Sequence, residues 1–357
     1  MAFENSYSRT ERLLHKMAFS SWGLQASLAD IEDRMFAGEL AGIDVQKPVF
    51  VSALPRGGTT ILLELIESSG EFAAHRYRDM PFLMVPMIWS TYAKGFRTDD
   101  TARERAHGDG MLVSVDSPEA FEEVLWRTFF KHNYGQKTIR PFDATRDAEF
   151  DRFFPQHIRK IIALRRRDGG KAERYLSKNN LNIARMPLIK AMLPDALVLT
   201  PFRPPVQHAA SLLRQHLNFL DIHEQDEFAR DYMESIGHYD FGENLKPVNF
   251  GNWFDTVREV SRRTLNFWLR YWVATYSTLI EQSAPGMHFI AYERLCERPT
   301  EGLGRIGEIL GLKDSSALMA QSSRLKAAKP YDVPADVDPQ LLKTAEDLYQ
   351  RLLEAAL

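Results

Sequence analysis

The chain has a single cysteine, Cys296, among its 357 residues. That excludes an intramolecular disulfide and fits a reducing compartment. It has no excess of either charge. With 45 Lys+Arg against 48 Asp+Glu, neither a general nucleic-acid binder nor a membrane-surface binder is expected. No apolar run approaches the roughly 20 residues needed to span a bilayer. The N-terminus lacks the basic, apolar and small-residue order of a secretory signal. The ten histidines show no metal-ligand spacing, so no metal is expected. The reading is a soluble, cytoplasmic protein. Hydrophobic residues make up 44% of it, enough for one large α/β domain or two small ones.

What is present begins with Val49-Phe50-Val51, an apolar run that ends in Pro55-Arg56-Gly57-Gly58-Thr59-Thr60 and leads directly into an apolar helix pattern from Ile61 to Ile66. Strand, glycine turn and helix N-terminus in succession leave backbone N–H groups converging at the positive end of a helix dipole. Gly57 and Gly58 let the backbone approach an anion, Thr59 and Thr60 add hydroxyls, and Arg56 adds a fixed positive charge. The segment suits a phosphate or sulfate. Its spacing approximates the nucleotide-binding loop G-x-x-x-x-G-K-S/T, with Ala53 at the first glycine and Thr59 at the lysine. Without that lysine, which reaches the terminal phosphates of a nucleoside triphosphate, an ATPase or kinase is disfavoured.

Strands are expected over 49–51, 72–76, 174–178, 196–202 and 288–292, separated by helical patterns. The apolar run of 196–202 suits a strand buried on both faces. This order implies an α/β fold with a parallel sheet between helices, and ligands at the carboxyl ends of the strands. Arg56, Lys178, Arg203 and Tyr292 all fall there. A helical segment is expected over 1–46 with a break near Gly23, and a helical tail over 331–357. Residues 47–330 form the main domain, with insertions at 81–140 and at 219–256. The latter reads as irregular and lid-like. Arg165-Arg166-Arg167 reads as a solvated helix end. The aromatic stripe of 256–282 reads as core.

Arg203 precedes Ser211 by eight residues across a strand–helix junction. Guanidinium and hydroxyl can face one anion there, making a second phosphate-sized site. Two such sites suit a nucleotide with phosphates at both ends of its ribose. At this point the chain resembles the sulfotransferases that use 3′-phosphoadenosine 5′-phosphosulfate. Pro55 to Thr60 is similar to the family's 5′-phosphosulfate loop, and Arg203 with Ser211 to its 3′-phosphate motif, preceded by Pro194-Asp195-Ala196. Tyr292-Glu293-Arg294-Leu295 with Pro299 is similar to the segment whose Tyr lies beside adenine. Lys178-Asn179-Asn180 is similar to a Lys-bearing strand end. The chain departs from the pattern at Ile61, where many members carry an aromatic residue, and at Pro204-Pro205. It also has no clear C-terminal Arg-Lys-Gly loop, for which Arg324, Lys326 and Lys329 are candidate cations.

The resemblance implies a three-layer P-loop-like fold and in-line sulfuryl transfer to a hydroxyl, with a carbohydrate or glycolipid as the expected acceptor. Arg56, Gly57, Gly58, Thr59 and Thr60 would hold the phosphosulfate. Arg203, Ser211 and Tyr292 would hold the rest of the nucleotide, and Lys178 would stabilise the charge that develops. Positioning and electrostatics dominate such a reaction, by analogy with phosphoryl transfer. Asp79 and His75, on the return from the first helix, are the two candidates for the base. His107 and Asp109 are candidate acceptor contacts. The competing readings are a P-loop kinase or NTPase, and a non-catalytic nucleotide-binding protein on the same fold.

Overall fold

A computed structural model describes residues 18, 22–93, 103–104, 112–113, 117–119, 121–327, 331, 334 and 336–357. His107, Asp109 and Lys329 lie outside the described residues, as does most of 1–21. Five parallel strands form the central sheet: β1 (Val49–Val51), β2 (Phe72–Ala73), β3 (Arg174–Lys178), β4 (Leu197–Phe202) and β5 (Met287–Ala291). Their order across the sheet is β2-β3-β1-β4-β5. The expected α/β fold is what the structure shows.

Alternation along the short strands explains the layers. Val49 and Val51 point to one face, where they pack with Leu62, Leu65 and Ile66 of α1 (Thr59–Glu67) and with Leu303 and Ile306. Phe50 points to the other face. There it joins Phe154, Ile158 and Ile161 of α2 (Ala148–Arg167), Ala209 of α3 (Pro205–Gln225) and Tyr276 of α4 (Leu265–Glu281). Both faces are covered, as a parallel sheet requires. The last helix, α5 (Pro339–Ala355), lies against this second layer, with Tyr349 edge-on to Phe202 at 5.8 Å. Its following residue, Ala356, bridges to Phe289 of β5.

Several expectations change in detail. The 219–256 segment is largely ordered: α3 runs through it to Gln225, and a helix follows over Glu227–Ser235, capped by Asp226 accepting from the Ala229 N–H. Tyr292 starts a short helix rather than ending β5. The helix expected from about 256 begins at Leu265. Gly23 is the second residue of a helix over Trp22–Met35, and the residues just before that helix, where the break was expected, lie outside the described ones. Arg165 is the largest correction, being buried with only 3% exposure. Its Nη2 donates to Asp79 Oδ1 at 2.6 Å, so the basic run carries a core ion pair at the face it turns inward.

The Trp22–Met35 helix is also pinned by charge. Lys160 of α2 reaches Glu32 at 2.9 Å and Asp33 at 2.7 Å, and both Lys160 and Glu32 are buried. Burial raises the Glu32 pKa, and Lys160 opposes the rise. Removing one partner strands the other in low dielectric, which costs more than removing both. Lys160→Met should therefore lower stability by about 3–5 kcal/mol. Lys160→Met combined with Glu32→Met should cost clearly less, as read by urea unfolding.

Candidate active site

β1 and β4 are neighbours, but their chains leave in opposite directions. From β1 the chain crosses to β2 at one edge of the sheet, and from β4 to β5 at the other. In open parallel sheets the ligand crevice lies outside the carboxyl ends at such a point. The Ser52–Gly58 loop and Arg203 both border it.

The loop is held by close backbone contact. A Cβ on Gly57 would lie 3.0 Å from the Leu54 carbonyl and 3.1 Å from the Pro201 carbonyl at the tip of β4. Gly58, at φ 103°, starts α1, and a Cβ there would lie 2.5 Å from the Tyr292 ring. Gly58 admits no side chain, and one at Gly57 would force the two carbonyls to give way. Arg56 adopts φ 68°, a left-handed conformation that costs a non-glycine residue about 1–3 kcal/mol and persists only where its surroundings impose it. His208 of α3 is part of those surroundings. Its Nε2–H donates to the Pro55 carbonyl at 2.9 Å, and burial, with Arg203 nearby, lowers its pKa to about 3. The ring is therefore neutral and fixed in one tautomer. No side chain caps the first turn of α1, which leaves its amide groups for an anion.

The two expected anion elements meet. Arg56 Nε donates to Ser211 Oγ at 3.5 Å, and Arg203 Nη1 donates to the Arg56 carbonyl at 3.3 Å. They make one continuous positive wall rather than two separate sites. Arg203 is steadied by Glu293 at 3.2 Å and lies over the Tyr292 ring at 5.8 Å. Tyr292 packs against Gly58, and its hydroxyl donates to the Lys326 carbonyl at 3.4 Å. Of the C-terminal candidates, Lys326 is thus held by its backbone beside Tyr292, whereas Arg324 is paired with Glu64 of α1.

The end of β3 forms the opposite wall, and buried acids wire it in place. Ser177, Tyr175 and Trp126 all donate to Glu122. Asn179 Nδ2 donates to Glu123 at 2.8 Å, and Arg185 closes on the same carboxylate. Asn180 accepts from the Thr59 hydroxyl at 3.1 Å and donates to Asp240 at 2.9 Å. Thr59 thus turns inward to β3, while Thr60 stays half-buried. Lys178 Nζ lies 4.0 Å from Glu119 Oε1, and Tyr77 OH donates to Glu119 Oε2 at 2.8 Å.

Asp79 and His75 are not brought to this wall. Both are buried. Asp79 accepts from Arg165 and, at 2.8 Å, from the Arg76 N–H that starts a short 3-10 turn. His75 Nε2 meets His157 Nε2 at 3.1 Å. These partners hold both side chains in the core. Glu119, unremarked in the sequence, is the acid beside Lys178. A bridge between Arg76 and Pro118, and the Glu119 N–H donating to the His75 carbonyl at 2.9 Å, deliver it there. His208, Asp240 and Glu119 carry no local sequence signal; only tertiary pairing reveals them.

The sulfotransferase family model matches residues 48–241, which is more than half of the chain, and the chain belongs to that family. No curated protein matches it. Among solved structures, the sulfotransferase STF9 of Mycobacterium avium is similar at 14% identity and TM-score 0.45, covering 90% of this chain and 80% of that one. STF1 of Mycobacterium tuberculosis H37Rv is similar at 13% and 0.43, covering 92% and 81%. The mouse sulfotransferase SULT7A1, solved in complex with PAP, is similar at 12% and 0.32, covering 90% and 80%. No helix among the described residues is long and apolar enough to cross a membrane.

The buried imidazoles set a pH dependence. Burial lowers the His75 pKa from 6.5 to about 4, against the pull of Asp79. The unfolded chain therefore takes up this proton first as pH falls. The stability that His75 contributes is present above pH 6.5 and is lost as pH falls towards 4. His75→Gln should flatten the decline of urea-unfolding stability across that window.

Proposed function

We propose that the chain transfers the sulfuryl group of 3′-phosphoadenosine 5′-phosphosulfate to a hydroxyl of an acceptor. The observation that carries this is the junction of Arg56, Ser211 and Arg203 on one crevice wall. A glycine loop alone suits many anions. A glycine loop whose arginine meets a second Arg–Ser pair suits a nucleotide with phosphates on both sides of its ribose. The α1 amides and Thr60 take the 5′-phosphosulfate, Arg203 and Ser211 the 3′-phosphate, and Tyr292 the side of the base.

Lys178 faces the loop from β3 and stabilises the bridging oxygen as the S–O bond breaks. Glu119 is the base in this reading. Its Oε2 is held by Tyr77, and its Oε1 lies towards Lys178. The acceptor hydroxyl forms the new O–S bond, its proton passes to Glu119, and adenosine 3′,5′-bisphosphate leaves with the electron pair. The polar rim of Glu119 and Asp240 favours a polyhydroxylated acceptor such as a carbohydrate or the sugar of a glycolipid.

Adenosine 3′,5′-bisphosphate at a hundred times its Kd should stabilise the protein by about 2.7 kcal/mol, read as a rise in Tm. ATP with magnesium should do much less. Stabilisation by ATP-magnesium alone would overturn the reading. In turnover assays Glu119→Gln should lower kcat by about 10²–10⁴-fold and remove the acidic limb of the pH profile, with donor affinity retained. Arg203→Ala should instead weaken donor binding.

A further inference from the structure

The crevice uses one side of α3. His216, five residues beyond Ser211 and so about 140° around the helix, faces elsewhere. It lines a separate cavity of about 310 Å³ between α3, the turn at Gly242 and the residues that lead into α4. Aromatic packing divides this cavity from the reaction side. Trp268 lies 5.3 Å from His216, Phe241 lies 6.0 Å from Trp268, and Phe219 follows at 5.8 Å.

Two cations and one carboxylate line the cavity. Arg262 and Arg263 both line it, and neither guanidinium has a carboxylate at ion-pair distance among the described residues. Arg262 is half-buried, with its guanidinium 5.5 Å over Phe254. The carboxylate on the wall, Glu243, is 3.5 Å from Arg230. α4 begins just beyond, with no acidic residue in its first turn and no side-chain cap, so its own residues do not offset the positive end of its dipole.

His216 supplies the independent signal. It is 2% exposed, and its Nδ1 accepts the Gly242 N–H at 3.1 Å. That bond fixes the ring proton on Nε2. Nε2 makes no hydrogen bond among the described residues. Burial, with Arg262 and Arg263 adding to it, lowers the His216 pKa to about 4, so the ring is a neutral donor at pH 7. A neutral N–H donor without a protein acceptor, beside two arginines without carboxylate partners among the described residues, suits an acceptor that carries negative charge.

We propose that this cavity binds a small oxyanion, a phosphate, sulfate or carboxylate group, held by Arg262, Arg263 and His216 Nε2. The anion ties α3, the Gly242 turn and the head of α4 together. These elements frame the 219–256 segment that also carries Asp240 to the active site. The oxyanion is either a free ion or a substituent on a larger ligand.

The test titrates inorganic phosphate, followed by calorimetry and thermal shift, with adenosine 3′,5′-bisphosphate saturating so that the glycine loop does not compete. A saturable response is expected in the wild type and in Lys178→Ala. It should weaken about tenfold or more in His216→Phe, and be lost in Arg262→Gln/Arg263→Gln. Arg263 is exposed, so Arg263→Gln alone is expected to fold normally and to weaken the response. No saturable response in the wild type, or the same response in Arg263→Gln, would overturn the proposal. This comparison stands whether or not the bisphosphate is the true donor product. A parallel titration with a hexose 6-phosphate separates the sources: tighter binding than phosphate assigns the anion to a larger ligand, and equal or weaker binding assigns it to the free ion.

Discussion

The contact between the loop after β1 and the tip of β4 is the constraint on which the site depends. Gly57 packs against the Pro201 carbonyl, His208 donates to the Pro55 carbonyl, and Arg203 donates to the Arg56 carbonyl. Each of these uses a loop carbonyl or the missing side chain of a glycine; the Gly57 N–H turns back to the Leu54 carbonyl at 3.2 Å, and no side chain caps the amides that open α1. Tyr276 OH donates to Pro201 at 3.0 Å and so fixes β4 from the helix layer behind. The strained backbone at Arg56 and the absent Cβ at Gly58 follow from this docking. Without it the loop would be an ordinary turn.

The same contact explains why the two anion elements act as one. Arg56 and Ser211 are far apart in sequence, yet the crossing of chain directions at β1 and β4 brings the starts of α1 and α3 together from opposite faces of the sheet. Their N-termini both face the crevice opening, where helix dipoles and guanidinium groups add. The β3 wall is built differently. It is positioned by buried carboxylates, Glu122 and Glu123, whose hydrogen bonds to Tyr175, Ser177, Asn179 and Arg185 satisfy them in low dielectric. Burial raises the Glu122 pKa, and Ser177, Trp126 and Tyr175 oppose the rise. The wall presents Lys178 with its acid partner, Glu119.

What was legible in the sequence was what chemistry makes local. Pro55 to Thr60 shows its purpose because a glycine turn between a strand and a helix has few other uses. The β3 strand, Arg174–Lys178, was read with its observed bounds, and Arg203 with Ser211 was read from a helix-compatible spacing. The base we propose, Glu119, was not legible. Asp79 and His75 stand near the loop in sequence, but the short 3-10 turn after β2 swings both into the core, towards Arg165 and His157. Glu119 reaches Lys178 only because its segment pairs with the His75–Tyr77 backbone, and no periodicity signals such a bridge. The 219–256 segment misled for a related reason: its charged residues read as loop, while its aromatic residues pack inward and fix helices.

The central claim is that one wall grips both phosphate ends of a single nucleotide. The most direct measurement is the affinity of the protein for adenosine 3′,5′-bisphosphate compared with adenosine 5′-monophosphate by calorimetry. Losing the 3′-phosphate removes charge-assisted hydrogen bonds from Arg203 and Ser211, each worth about 1.5–3 kcal/mol. The account therefore predicts at least tenfold weaker binding of the monophosphate in the wild type, with the difference abolished in Arg203→Ala. Equal affinity for the two nucleotides in the wild type would contradict it.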